Sequence, residues 1–297
     1  DVGWKNLLQN NKLDNFKQLN GEAEFKLENG ILVGISKQNT PNSFLATKKR
    51  YSDFILEFEV KVDFGLNSGV QFRSESISTY MDGRVHGYQC EIETSQRKWA
   101  GGIYDEARRG WLYPLTRNKK GQDAFVNGTW NAYRIEAIGS KIITYVNGIQ
   151  ASNLIDEVTS EGFIAFQVHG ISNPKDEGKK VQWRNIRVLT TDLENNRMIS
   201  SNSAPQISYL ENKLTNEEKR LGFRMLWDGK STQGWRGVKL ENFPNKGWVI
   251  ENGILTVEAS NGAESRNGGD IVTLEIFRNF ELNIDFLLTE GANSGIK

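Results

Sequence analysis

"GYQCEIE" (Gly87–Glu93) sets the fold class of this chain. Apolar and polar residues alternate through it, which is the period of a half-buried β-strand. Tyr88, Cys90 and Ile92 fall on one side, and Gln89, Glu91 and Glu93 on the other. The first side suits a core. The second sets an amide and two carboxylates in a row, which fits a solvated sheet face, a sugar-binding surface or a catalytic pair.

The same alternation recurs on both sides of this stretch. "FILEFEVKV", "SGVQFRS", "WAGGIYDE", "AYRIEAIG", "KIITYVNG", "GFIAFQVHG" and "VQWRNIRVL" all read as strands. Asn29-Gly30 and Asn147-Gly148 are tight-turn dipeptides between strands, and Gly139-Ser140 is a looser turn. No long segment has helical periodicity. Many short strands that each bury one face predict an all-β sandwich of two antiparallel sheets for residues 3–190.

Composition narrows the function classes. Lys+Arg and Asp+Glu are both 37, so no basic excess is present to neutralise phosphates, and nucleic acid is not the expected partner. The longest apolar runs are strand-length, so no transmembrane segment is expected. No signal peptide is visible; an opening at Asp1 without Met fits a mature or trimmed chain. Cys90 is the single cysteine, which excludes an intrachain disulfide. His86 and His169 are the two histidines, too few for a multi-His metal centre. No cofactor is expected, and a structural divalent cation stays open.

An internal repeat organises the chain. "FKLENGIL" (Phe25–Leu32) returns as "WVIENGIL" (Trp248–Leu255), 223 residues on (25 to 248). "DFILEFEVKVDFGLNSGVQ" (Asp53–Gln71) returns as "NFELNIDFLLTEGANSGIK" (Asn279–Lys297), 226 residues on (53 to 279), with the Asn-Ser-Gly triplet in register. The expected organisation is a complete sandwich over residues 1–192 and a linker over 193–220. Residues 221–297 read as the first part of a related domain whose remainder is missing from this chain. Thr215 with Glu218 is a capping-box pattern, so a short helix is expected in the linker.

Strand parity groups the candidate site residues. Gln71 and Arg73 lie opposite Val70 and Phe72, and Gln167 and His169 lie opposite Phe166 and Val168. With Gln89, Glu91 and Glu93 they predict a face of sugar-binding character, because hydroxyls need paired donors and acceptors. The bland reading is the solvated face that antiparallel sheets commonly carry. Glu91 and Glu93 stand about 7 Å apart by strand rise, near the inverting-glycosidase separation, although Glu-x-Glu is common in exposed strands. Two close carboxylates raise one pKa, which suits a general acid, and Arg73 opposes that shift. "GGIYDEARRGWLYP" (Gly101–Pro114) gathers Tyr104, Asp105, Glu106, Arg108, Arg109, Trp111 and Tyr113, and is either a binding rim or a salt-bridged loop. Trp130 reads as packing and Cys90 as inert core. No Walker loop, GxSxG, HExxH or CxxC occurs, so nucleophilic Ser or Cys catalysis finds no support.

"NSGVQFR", "GYQCEIE", "GGIYDEARRGWLY", "GTWNAYRIEAIGSKIITYVNGI", "GFIAFQVHG" and "VQWRNIRV" in this order resemble the 3-keto-disaccharide hydrolase domain family, also known as domain of unknown function 1080. The resemblance covers residues 3–190 and resumes at "LTNEEKRLGFRMLWDGKSTQGW". It implies a concanavalin-like lectin/glucanase jelly roll in secreted, periplasmic or envelope-associated bacterial proteins. The implied activity is cleavage of glycosides oxidised at carbon 3, with an oligosaccharide or glycoside as substrate. The ketone acidifies the C2 proton, so a base can remove it, the C1 oxygen can leave, and water can then add. Carried onto this chain, Glu91 or Glu93 is the base or acid. Arg73 and His169 face the enolate, and Gln89 and Gln167 hold hydroxyls; His169 is the next catalytic candidate. Many members carry Asp where Val168 stands, which weakens an acid or metal role there. A non-catalytic glycan-binding module on the same fold is the alternative.

Overall fold

The computed structural model describes residues 3–8, 12–199, 204–259 and 268–297. The chain divides into two compact units, Asp1–Leu210 and Glu211–Lys297.

The first unit opens with β1 (Lys5–Asn6), β2 (Phe16–Asn20), β3 (Glu24–Glu28), β4 (Ile31–Ile35), β5 (Ser43–Tyr51), β6 (Phe54–Val62), β7 (Asn67–Glu75) and β8 (His86–Glu93). It continues with β9 (Ile103–Glu106), β10 (Gly110–Tyr113), β11 (Asn131–Ile138), β12 (Lys141–Val146), β13 (Ile149–Ile155), β14 (Gly162–Val168), β15 (Lys180–Leu189) and β16 (Ile207–Ser208). A single helical turn, α1 (Lys119–Gln122), lies between β10 and β11. One sheet has the order β10-β9-β8-β7-β14-β5-β2. The other runs β16-β13-β12-β11-β6-β15-β4-β3, with β1 added beside β15. Every strand pairing in these sheets is antiparallel except the two-residue contact of β13 with β16. The two sheets form the antiparallel sandwich that the alternation predicts, with the jelly-roll architecture that the resemblance implies.

Strand parity explains the core. Phe58 of β6 stacks on Tyr133 of β11 at 5.1 Å, and meets Phe166 of β14 edge-on at 6.4 Å. Phe166 in turn meets Trp183 of β15 at 5.5 Å, so aromatic contacts cross from sheet to sheet. Each buried ring of this kind contributes roughly 1.5–3 kcal/mol by leaving water. Tyr88, Cys90 and Ile92 are fully buried in this core, as their alternation requires. Burial pushes the Cys90 thiol far up, which keeps it an unreactive neutral group.

Residues 193–199 and 204–210, which the sequence reads as linker, pack as part of the first unit. Ala204 is buried, Tyr113 donates to the Pro205 carbonyl, and Tyr145 donates to the Met198 carbonyl. Polar composition conceals this: the segment is held mainly through its backbone.

The second unit begins with α2 (Asn216–Arg220). Thr215 and Glu218 close the capping box that their spacing predicts. β17 (Trp235–Gly237) pairs with β20 (Ile271–Thr273), and β18 (Trp248–Glu251) with β19 (Ile254–Val257). The β18–β19 hairpin repeats the β3–β4 register: Phe25↔Gly34 and Glu28↔Ile31 correspond to Trp248↔Val257 and Glu251↔Ile254. Both turns are Asn-Gly with positive φ at each residue, 51° and 79° against 51° and 75°. Residues 279–297, by contrast, form no strand. In the first unit the matching strands β6 and β7 pair with β8, β11, β14 and β15, all later in sequence. No helix among the described residues is long and apolar enough to cross a membrane.

Candidate functional site

β8 lies third in the seven-stranded sheet, between β7 and β9, and all eight of its residues are buried. The polar side is therefore no solvated face. Gln89, Glu91 and Glu93 are only 3–4% exposed, yet they point away from the sandwich core. An amide and carboxylates buried at that cost need partners.

The partners form one network centred on β7 and β8. Gln71 and Gln167 both donate to Gln89 Oε1, at 2.8 and 2.9 Å. Gln89 Nε2 donates to Glu91 Oε2 at 3.1 Å, and Asn67 Nδ2 donates to Glu91 Oε1 at 2.6 Å. Ser74 supports Gln71 from behind at 2.8 Å. Gln167 Oε1 is buried without a hydrogen-bond partner, so this face holds a spare acceptor.

The Asn-Ser-Gly triplet builds the network's floor. Asn67 holds Glu91, Ser68 donates to the Gln167 carbonyl at 2.6 Å, and Gly69 leaves room for the Gln89 side chain. A Cβ on Gly69 would stand 2.4 Å from Gln89 Cδ. Strand parity does not single out Asn67 as a site residue; the repetition of its triplet at Asn293–Gly295 is the available signal.

Burial pushes the Glu91 carboxyl up to about 7, and the charge of Glu93 adds to the rise. Hydrogen bonds from Asn67 and Gln89 and the charge of Arg97 pull the other way without offsetting it. A carboxyl that is half-ionised near neutrality can both take and give a proton.

Glu93 has a different role. It accepts from Ser95, from Arg97 at 2.8 Å and from the Trp99 backbone N–H at 2.5 Å, so its oxygens anchor the 94–99 loop. Arg97 also reaches Glu91 at 3.5 Å. A guanidinium thus bridges the two carboxylates, where an inverting pair keeps a gap for water. The guanidinium packs over Trp99 at 4.6 Å and Trp111 at 4.7 Å, and Trp111 meets Tyr104 at 5.2 Å. Tyr104 lies directly across from Gln89, so this half-buried aromatic shelf borders the network. A hollow of about 150 Å³ opens beside Asn67, Glu93 and Ser95. Sequence reasoning misses Arg97 and Trp99, because a loop's return over its own strand leaves no periodic trace.

Several predicted site residues lie elsewhere. Arg73 takes a left-handed backbone (φ 45°) at a bulge between Phe72 and Glu75, which breaks the strand parity. Its buried guanidinium bonds Ser52 O and Gly139 O at 2.7 Å and Asp53 at 2.9 Å, clamping two turns instead of facing Glu91. Asp105 lies across from Tyr88 and so points to the core side. It pairs with Arg108 at 2.7 Å and Arg109 at 2.6 Å, and Arg109 also pairs with Asp156 at 2.7 Å. Asp156 and Tyr88 share a further short hydrogen bond, so these charges form a buried structural cluster. Glu106 is buried against Arg84 at 3.3 Å. His169 is exposed one residue past the end of β14, and its ring bonds the adjacent Gly170 carbonyl. Of the rim, Tyr104 and Trp111 share the Glu91 side; Asp105, Arg108 and Arg109 do not.

The family model for the 3-keto-alpha-glucoside-1,2-lyase-like domain matches residues 3–189 and 222–297 of this chain. A 3-keto-disaccharide hydrolase of Bacteroides thetaiotaomicron is 39% identical over 77 residues, which is 25% of this chain. The match spans about a quarter, 26%, of that curated relative's length. Among solved structures, a candidate glycosyl hydrolase of Parabacteroides distasonis is similar at 17% identity and a TM-score of 0.46, over 64% of this chain and 94% of that one. A carbohydrate-binding module of Bacillus subtilis is similar at 17% identity and a TM-score of 0.39, over 58% and 94%.

Proposed function

The chain belongs to the 3-keto-alpha-glucoside-1,2-lyase-like family, and from that premise we propose that it cleaves glycosides of 3-keto sugars on the outer face of the β8–β7–β14 strands. The observation that carries this reading is Glu91: a buried carboxyl raised to about 7 and flanked by amides that suit sugar hydroxyls. In the proposed step Glu91 takes the C2 proton of the bound 3-keto sugar. The C2–H electron pair moves into the ring as an enolate and then forms C1=C2 as the C1–O bond breaks. The leaving oxygen takes up the proton that Glu91 has removed, which restores the carboxylate, and addition of water across the double bond completes a net hydrolysis. Gln89 holds the base in place, Gln167 Oε1 accepts a hydroxyl, and Arg97 is the cation beside the developing negative charge. Tyr104, Trp111 and Trp99 offer ring faces to the sugar's C–H side.

Glu93 orders the loop and takes no proton in this scheme. We read residues 222–297 as a second, related copy of the family domain, and the protein as secreted or envelope-associated, as the resemblance implies. The test is incubation with 3-keto-glycosides and with their unoxidised parents. The expected result is aglycone release from the oxidised compounds alone, falling at least about 10²-fold in Glu91→Gln. Saturable binding with no release at all would instead assign a glycan-binding module.

A further inference from the structure

The opposite sheet carries a second polar face that the proposed chemistry does not use. On β6, Glu57 and Glu59 lie outward of the core residues Phe58 and Val60, and Arg134 of β11 lies directly across from Glu57. On β15, Arg184 lies across from Glu59 and Arg187 across from Glu57. A bulge at Asn185 (φ 53°) keeps both arginines on this face. Glu57 pairs with Arg134 and, at 2.7 Å, with Arg187. Glu59 pairs with Arg184 at 2.6 Å and accepts from Asn185 at 2.7 Å. Above them is a hollow of about 670 Å³, walled by Trp4 and Asn6 on one side and by Tyr145 and Met198 on the other. Arg187 packs on the Trp4 ring at 4.6 Å, and Arg184 on the Trp130 ring at 4.2 Å. Both indoles are half-exposed.

We propose that this groove is a second, non-catalytic site that takes a short neutral oligosaccharide. Its volume falls within the range of about 300–1,000 Å³ common to ligand sites. The hollow itself is lined by two carboxylates, Glu57 and Glu59, and two guanidinia, Arg134 and Arg187, so their charges cancel and leave no net charge to attract an ion. The ion pairs hold Glu57 and Glu59 in fixed orientations, and the further lone pairs of their oxygens, beside the amides of Asn6 and Asn185, present the acceptors and donors that vicinal hydroxyls need. Trp4, which lines the hollow, supplies the apolar surface on which a sugar C–H face stacks. Stability alone does not account for the lattice, since partly exposed pairs contribute only about 0–1 kcal/mol each. A neutral sugar also fits better than nucleic acid, whose phosphates would meet Glu57 and Glu59. The proposal stands independently of Glu91.

The test titrates the whole chain with cellotriose, maltotriose and laminaritriose, following the Trp indole N–H resonances and the heat of binding. The expected result is saturable binding by at least one, with the Trp4 indole shifting and the Trp99 and Trp111 indoles still. Trp4→Ala should weaken binding about 5–10-fold, as loss of one stacking contact does, and Glu91→Gln should leave it unchanged. No saturation by any of the three up to about 20 mM, well beyond a weak 1 mM site, overturns the proposal. So do shifts confined to Trp99 and Trp111, which report the β8 face and need no Trp4 variant to be seen.

Discussion

Replacing Glu91 by Gln separates a poised carboxyl from an ordinary buried one through the pH dependence of stability. Raising a carboxyl from its ordinary 4.5 to about 7 makes the native state bind the proton more tightly than the unfolded chain does. The associated stability is complete below pH 4.5 and is lost as pH rises through about 7. At 1.36 kcal/mol per pH unit the loss is about 3 kcal/mol. Glutamine does not titrate, so the variant lacks this slope. It carries a constant cost instead: its single carbonyl oxygen satisfies either Asn67 Nδ2 or Gln89 Nε2, and the other donor meets an N–H. An unmet buried donor costs about 1–3 kcal/mol at every pH. The parent should therefore lead the variant at pH 4.5 and lose roughly 3 kcal/mol of that lead by pH 8. Urea unfolding followed by Trp fluorescence from pH 4.5 to 8.5 measures the difference directly. A constant gap would refute the raised carboxyl, and a gap that widens with pH would mean that Asn67 and Arg97 outweigh burial.

Gly69→Ala places a Cβ 2.4 Å from Gln89 Cδ, so it should cost about 1–3 kcal/mol in urea unfolding and also slow turnover. Arg109→Ala strips the charge partner shared by the buried Asp105 and Asp156, and should cost about 3–5 kcal/mol with kcat of the surviving folded protein unchanged. Arg73→Lys keeps the charge but cannot span Ser52, Asp53 and Gly139 at once, so the melting temperature should fall while KM stays at the parent value. Any KM change in that variant would return Arg73 to the site.

Period-two alternation carries the fold, because each strand buries one face and the pattern records which face. It also orients β8 properly: Tyr88, Cys90 and Ile92 are core, and Glu91 lies opposite. It fails in two physical circumstances. Parity counts assume an unbroken ladder, and the left-handed residue at Arg73 re-aims that side chain toward Ser52 and Gly139. Parity also says nothing of what covers a face, so the row beside Glu91 is legible but its burial under Arg97 is not. The Asn-Ser-Gly triplet is visible as a repeat. Its use, one residue each for Glu91, the Gln167 carbonyl and Gln89, depends on β7 lying between β8 and β14, which pairing alone decides.

The proton at C2 gives the most direct test of the proposed chemistry. A 3-keto-glycoside deuterated at C2 is incubated with the parent protein and with Glu91→Gln, and both released aglycone and deuterium in the solvent are measured against buffer alone. Elimination by Glu91 predicts one deuterium lost to solvent for each aglycone released by the parent, and at least about 10²-fold less of both in the variant. Aglycone released with deuterium still at C2, or equal release by Glu91→Gln, would contradict it.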